Sequence, residues 1–239
     1  MRILFMGTPD FAVASLRRLV EDGHDVCGVF TQPDKPKNRG HKLTPTPVKE
    51  YAITKKLAVY QPASLRNEET LSLVRAMAPE LIVVAAYGKL LPEDILNVPP
   101  LGSINVHSSL LPKYRGAAPI NWAVLNGEKM TGVTIMYMAK DLDAGDIILQ
   151  KSTPIGETED AQALTVRLAM LGAEALSESV RSLPPAGFPK IIISTHMLPC
   201  WGRNYLLWIG PALLTRLTVR FEGSCPGPVP LRISLAVWT

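Results

Sequence analysis

Arg2-Ile3-Leu4-Phe5-Met6-Gly7-Thr8-Pro9, then Phe11-Ala12-Val13-Ala14-Ser15-Leu16-Arg17-Arg18-Leu19-Val20, then Asp25-Val26-Cys27-Gly28-Val29-Phe30-Thr31 open the chain and set its architecture. The first run is short and almost wholly apolar, as a strand buried on both faces requires, and predicts a strand over 2–6. Gly7-Thr8-Pro9 turns the chain, and the second run predicts a helix, with Gly23 just beyond its end. The third run predicts a second strand over 25–31. Strand, helix and strand in that order form a βαβ unit, which pairs its strands in parallel through a right-handed crossover. Outward from this unit, 81–85 and 103–106 fit central strands of the same sheet, and 131–136 and 146–150 fit strands beyond it. A last amphipathic helix is expected over about 160–183. Leu164, Leu168, Leu171 and Ala175 fall on one of its faces, and Glu159 and Asp160 suit its first turn. The fold class is α/β.

The 239 residues suffice for one large domain, or for one domain with a small appendage. Hydrophobic residues at 47% and charged residues at 19% support a buried core and exclude wholesale disorder. No apolar stretch is long enough to cross a bilayer, and the apolar run at the N-terminus is too short for a signal peptide, so a cytoplasmic location is expected. Cys27, Cys200 and Cys225 have no metal-like spacing, and their odd number suits free thiols.

The formal net charge is +4, but it is unevenly placed. Residues 1–183 hold 20 Lys/Arg and 20 Asp/Glu, yet within them residues 34–56 hold seven basic side chains against two acidic ones. Part of that segment lies in 32–47, which has four prolines and almost no apolar side chains, and is expected to be a long exposed loop. From Phe188 to Thr239 there is one acidic residue, together with three of the four tryptophans and two of the three cysteines. No helical or strand period is sustained there, and an ordinary folded surface needs mixed charges that this stretch lacks.

Three constellations could carry chemistry. Met6-Gly7-Thr8-Pro9-Asp10-Phe11 joins a strand to a helix, but G-x-G-x-x-G is absent, so a tight βα turn is favoured over a dinucleotide site. Asn105 and His107 share one face of their strand by its period of two, at the C-terminal end where open α/β sheets place ligands. A carboxamide donor beside an imidazole suits a carbonyl whose oxygen becomes negative. Taken alone, a histidine near a strand end is more often structural; the Gly- and Pro-rich stretch that follows tips the reading toward function. Asp141-Leu142-Asp143-Ala144-Gly145-Asp146 is either a plain turn or a turn that aims a carboxylate into the same cleft. It lacks the pattern of a calcium loop, so no metal is expected.

Asn105-x-His107, Ser109-Leu110-Leu111-Pro112-Lys113-Tyr114-Arg115-Gly116 and Asp143-x-Gly145-Asp146 together resemble the signature of the folate-dependent formyltransferases. Gly7-Thr8-Pro9-x-Phe11, the basic segment from Pro33 to Pro47, and Ala86-Tyr87-Gly88-Lys89-Leu90-Leu91-Pro92 are similar to the branch acting on methionyl-tRNA. The resemblance covers roughly 1–185 and joins several motifs in order. It implies a Rossmann-like sheet with helices on both faces and 10-formyltetrahydrofolate as formyl donor, without a metal. Initiator methionyl-tRNA is the implied acceptor, and a monomer is expected. Asn105, His107 and Asp143 would be catalytic, Ser109, Leu110, Leu111 and Pro112 would line the folate site, and Lys35, Lys37, Arg39 and Lys42 would meet the tRNA.

Residues 186–239 depart from the family, whose members are expected to end in a β-barrel domain that helps bind tRNA. This tail is expected to be atypical, with the composition of a frameshifted reading frame or of a truncation with an unrelated end. Two other readings stay open: transfer to a different amine such as that of a nucleotide sugar, or a folate-binding relic inactivated by loss of the C-terminal domain.

Overall fold

A computed structural model of the chain describes residues 1–37 and 42–183. The chain divides into two units, Met1–Ala186 and Gly187–Thr239. The second unit, and with it the expectation for the tail, lies outside the described residues.

The opening runs fold as a strand β1 (Arg2–Gly7), a helix α1 (Asp10–Glu21) and a strand β2 (Asp25–Phe30) parallel to β1. A hairpin follows, β3 (Lys35–Lys37) and β4 (Lys42–Thr44), and then α2 (Pro47–Thr54), β5 (Val59–Tyr60), α3 (Glu68–Met77), β6 (Leu81–Ala85) and α4 (Glu93–Leu96). The chain continues through β7 (Ser103–His107), α5 (Pro119–Leu125), β8 (Met130–Tyr137), β9 (Ile147–Pro154) and α6 (Ala161–Ser182). Seven strands form one sheet in the order β5-β2-β1-β6-β7-β8-β9. The first five are parallel, and β8 and β9 run antiparallel at one edge. The fold is the expected α/β sheet, with β9 reaching four residues further than the apolar run 146–150 suggests.

Both faces of the sheet are buried, which is why the central strands are continuously apolar. In β1, Ile3 and Phe5 belong to the core beneath α1 and α6, while Leu4 and Met6 belong to a second core with Val74 and Met77 of α3. β6 alternates in the same way: Leu81, Val83 and Ala85 face the first core, Ile82 and Val84 the second. Apart from Ala85, each of these side chains contributes about 1.5–3 kcal/mol by leaving water. β7 breaks the pattern. Ile104 and Val106 still feed the first core, but the alternate positions are Ser103, Asn105 and His107. The second core therefore gives way at β7 to a polar face.

Helix starts are locally encoded. Thr46, Asn67 and Asp160 each accept a hydrogen bond from the backbone three residues on, and Pro47 occupies the first turn of α2.

The segment 32–47 corrects one expectation. It is not an irregular loop throughout: Lys35 pairs with Thr44, Pro36 with Leu43 and Lys37 with Lys42 as an antiparallel ribbon. A two-stranded ribbon leaves half its backbone groups turned outward, so a proline that cannot donate is tolerated. The ribbon's base is held by distant partners. Lys49 Nζ donates to Asp34 Oδ2 at 2.6 Å and to Gln61 Oε1 at 2.8 Å, and Gln61 Nε2 donates to Asp34 Oδ1 at 2.7 Å. Lys49, one of the seven basic residues of 34–56, is thus already paired.

No helix among the described residues is long and apolar enough to cross a membrane.

Candidate active site

Strand order reverses at β1, since β2 follows on one side of it and β6 on the other. Such a switch point opens a crevice beyond the C-terminal strand ends. Here the crevice holds two cavities. One, of about 470 Å3, is bordered by Phe11 and the loop 86–90 on one side and by His107 and the loop 116–119 on the other. The other, of about 450 Å3, has an apolar wall of Leu65, Leu71, Leu91, Ile95 and Met136, with Arg66 and Glu68 at its border. Asn105, Asp143, Leu90, Met138 and Leu142 border both.

Asn105 is half-buried in the middle of β7, where the period of two puts it on the face of His107. Its side chain borders both cavities, so one amide is available to a group lying across the junction. His107 ends the strand, buried, with Nε2 3.0 Å from the carbonyl oxygen of Tyr114. A carbonyl only accepts, so this contact places a proton on Nε2. Nδ1 faces Asp143 Oδ2 at 3.6 Å, too long for a direct hydrogen bond. Both side chains are less than a tenth exposed, 7% for His107 and 9% for Asp143. Water therefore screens the pair weakly.

Asp143 sits in the turn between β8 and β9 with φ +47°, left-handed, which a non-glycine residue adopts only when its surroundings hold it. What holds it is Gly116, whose backbone N donates to Asp143 Oδ2 at 2.8 Å. Two residues on, Gly145 passes so close to β8 that any Cβ would collide with the carbonyl oxygen of Tyr137. The Asp-x-Gly spacing is thus a backbone requirement: the carboxylate reaches inward because the chain behind it presses against the sheet.

Two phenols lie close by. Burial pushes Tyr87, which borders the larger cavity, up to about 12, and burial followed by repulsion from Asp146 raises Tyr137. Neither can act as a base near neutrality.

The formyl transferase model matches residues 1–180. The chain belongs to the formyl transferase family. It is 59% identical over 184 residues to the methionyl-tRNA formyltransferase of Caldanaerobacter subterraneus subsp. tengcongensis, covering 77% of this chain and 60% of the relative. It is 50% identical over 191 residues to the methionyl-tRNA formyltransferase of Acetivibrio thermocellus, covering 80% of this chain and 61% of that one. The chain thus spans about 60% of the length of these curated relatives. Among solved structures, the phosphoribosylglycinamide formyltransferase from Streptococcus pneumoniae TIGR4 superposes with a TM-score of 0.62 at 20% identity, covering 75% of this chain and 97% of that one. The phosphoribosylglycinamide formyltransferase from Bacillus Halodurans gives 0.62 at 21%, covering 76% and 96%. At such identities the likeness is one of fold.

In this member of the family the structure brings Asn105, His107 and Asp143 to one crevice, but it does not bring Ser109, Leu110, Leu111 or Pro112 to either cavity. Ser109 and Leu111 are buried, and Pro112 is exposed. These residues brace the loop from behind. Ser109 Oγ donates to the Lys113 carbonyl at 2.6 Å, Thr134 Oγ1 donates to the Ser109 carbonyl at 2.7 Å, and Gln150 Nε2 donates to the Leu111 carbonyl at 2.9 Å. The physical reason is that the chain turns away from the crevice after Ser108 and packs against β8 before returning at Gly116.

Of the basic residues, Lys35 is exposed on β3 beside a cavity of about 200 Å3 with Thr8, Gln32 and Thr44. Lys37 and Lys42 occupy paired ribbon positions, and Arg39 lies outside the described residues. The ribbon's base is joined to the crevice, since Gln32 Nε2 and Thr8 Oγ1 each donate to the Tyr87 carbonyl at 3.0 Å. Sequence reading quoted Leu90 and Leu142 within motifs without giving them a role, and it passed over Met138; all three border both cavities. Leu90 and Leu142, 67% and 57% exposed, are the detectable signal: apolar residues in turns, where polar ones are usual.

Proposed function

We propose that this chain transfers the formyl group of 10-formyltetrahydrofolate to the α-amine of methionyl-tRNA, the acceptor in the name of the relatives at 59% and 50% identity. The observation that carries this reading is the position of Asn105 and Asp143 on the border of two cavities, with His107 beside them in one. Transfer needs donor and acceptor on opposite sides of one carbon. The larger cavity, next to the basic ribbon, suits the amine-bearing end of a tRNA. The cavity walled by Leu65, Leu91 and Met136 suits the flat, weakly polar ring system of a folate.

The amine nitrogen attacks the formyl carbon and the carbonyl oxygen becomes an oxyanion. Asn105 donates to that oxygen, a contact worth about 3–4 kcal/mol in the transition state. The amine gives up its proton through His107 and Asp143, and the folate N10 gains one as its bond to carbon breaks. The basic residues Lys35, Lys37, Arg39 and Lys42 supply phosphate contacts.

The test is formylation by the full chain, with methionyl-tRNA and an amino nucleotide sugar offered as alternative acceptors. Asn105→Ala is expected to lower turnover about 100- to 1000-fold with folate affinity retained. Undiminished transfer by Asn105→Ala would sink the assignment of the site, and transfer to the sugar alone would reassign the acceptor.

A further inference from the structure

We propose that Tyr114 is a positioning residue for His107, setting through its backbone carbonyl which imidazole nitrogen carries the proton. This rests on the reading of His107 as a proton-moving group in formyl transfer. The imidazole has two nearby oxygens, the Tyr114 carbonyl at 3.0 Å from Nε2 and Asp143 Oδ2 at 3.6 Å from Nδ1. A neutral ring carries one proton. The shorter contact, to a group that can only accept, claims it for Nε2 and leaves Nδ1 with its lone pair free to receive the proton of the attacking amine. Asp143 then faces the new N–H as counter-charge until the proton passes to N10.

The Tyr114 carbonyl points at His107 because Tyr114 is left-handed, with φ +58°. A non-glycine residue does not hold that conformation unaided. Its side chain supplies the hold: the phenol donates to Glu128 Oε1 at 2.8 Å and accepts from Asn126 Nδ2 at 2.9 Å. Asn126 caps the C-terminal end of α5, whose first residue, Pro119, borders the larger cavity. Glu128 is itself held by Lys113 at 3.0 Å. The phenol thus fastens the loop after His107 to the far end of α5, and its reach to the imidazole is through backbone. This accounts for a tyrosine in the 109–116 stretch whose ring borders neither cavity.

The test compares Tyr114→Phe, Glu128→Ala and Glu128→Gln in the full chain. Tyr114→Phe removes one oxygen and is expected to lower kcat about tenfold, with KM for both substrates within about twofold. Nitrogen-15 NMR of His107 in the neutral state is expected to show Nε2–H in the parent and a mixture of tautomers in Tyr114→Phe. Glu128→Ala should reproduce both effects, and Glu128→Gln, which keeps an acceptor oxygen, should restore them. Parent-like kcat and an unmixed Nε2–H tautomer in Tyr114→Phe would overturn the proposal. A rise in KM with kcat unchanged would also overturn it. The NMR arm needs no turnover: a tautomer shift in a chain that formylates nothing would leave the positioning role standing and count against formyl transfer.

Discussion

Asp143 has two duties that substitution can separate. Its Oδ2 takes a backbone hydrogen bond from Gly116, and the same oxygen faces His107 Nδ1. Asn in its place keeps an oxygen for Gly116 but removes the charge opposite the imidazole. Asp143→Asn is therefore expected to fold with near-parent stability and to lose about 100-fold in kcat, checked by steady-state kinetics beside urea unfolding. Gly145→Ala makes the opposite separation. It leaves every reacting group in place but forces the turn off the Tyr137 carbonyl, so both stability and kcat should fall. Overpacking costs about 1–3 kcal/mol. Parent-like unfolding of Gly145→Ala would show that the turn is not pressed against β8. The spacing Asp143-x-Gly145 was legible in the sequence. The reason for it was not, because Tyr137 and Gly145 meet only once β8 and β9 are paired.

At the scale of elements, α1 and α6 lie together over one face of the sheet, and the turn after α1 carries a half-buried titratable group outside the site. His24, just past α1, has an Nε2 without solvent contact or hydrogen-bond partner. Burial, then the charge of the N-terminus, lowers it from its ordinary value near 6.5, and Asp22 opposes this only in part. The folded state therefore prefers the neutral ring. Its contribution to stability is complete above about pH 6.5 and is lost as pH falls toward the folded value. The parent is expected to lose stability between pH 7 and pH 5, and His24→Gln to lose less, measured by equilibrium urea unfolding across that window. An equal decline in both proteins would remove His24 as the cause. The neighbouring carboxylate titrates elsewhere. Burial raises Asp22, but its hydrogen bond from Ser177 and the charge of Arg18 outweigh this and hold it below 3.8, so its contribution is lost only in stronger acid. The amphipathic period of α6 announced the contact face through Leu164, Leu168 and Ala175. It could not announce the polar pairing of Asp22 with Ser177, which lie 155 residues apart.

Across the whole molecule the distribution of charge matters more than its sum. The seven basic residues of 34–56 stand out against a balanced catalytic body, but the fold subtracts Lys49, which Asp34 and Gln61 retain at the ribbon's base. The base of the ribbon that carries Lys35 is joined to the crevice through Gln32 and the Tyr87 carbonyl. Arg39→Ala combined with Lys42→Ala is expected to weaken methionyl-tRNA binding and to flatten its log–log salt dependence by nearly two units, with folate affinity unchanged. Lys49→Ala should instead lower stability more than it changes the salt slope. Salt titrations of tRNA affinity check both. An unchanged slope in the double variant would remove the ribbon from the interface.

The sequence by itself determined the α/β architecture, the central strands, and the shared face of Asn105 and His107. Each of these follows from a period of two or of 3.6 residues, which local side-chain order carries. It also marked the basic segment, because charge is a property of composition. Only the tertiary structure decided that 109–112 brace the loop and that 35–37 pair with 42–44 as a ribbon. The tertiary structure alone also set a carbonyl of Tyr114 against His107 and the backbone N of Gly116 against Asp143, 27 residues away. Each of these contacts has a backbone group on at least one side, and every residue carries such groups alike, so no side-chain pattern encodes the pairing. They exist only where chain segments distant in sequence are brought together by burial of the two cores.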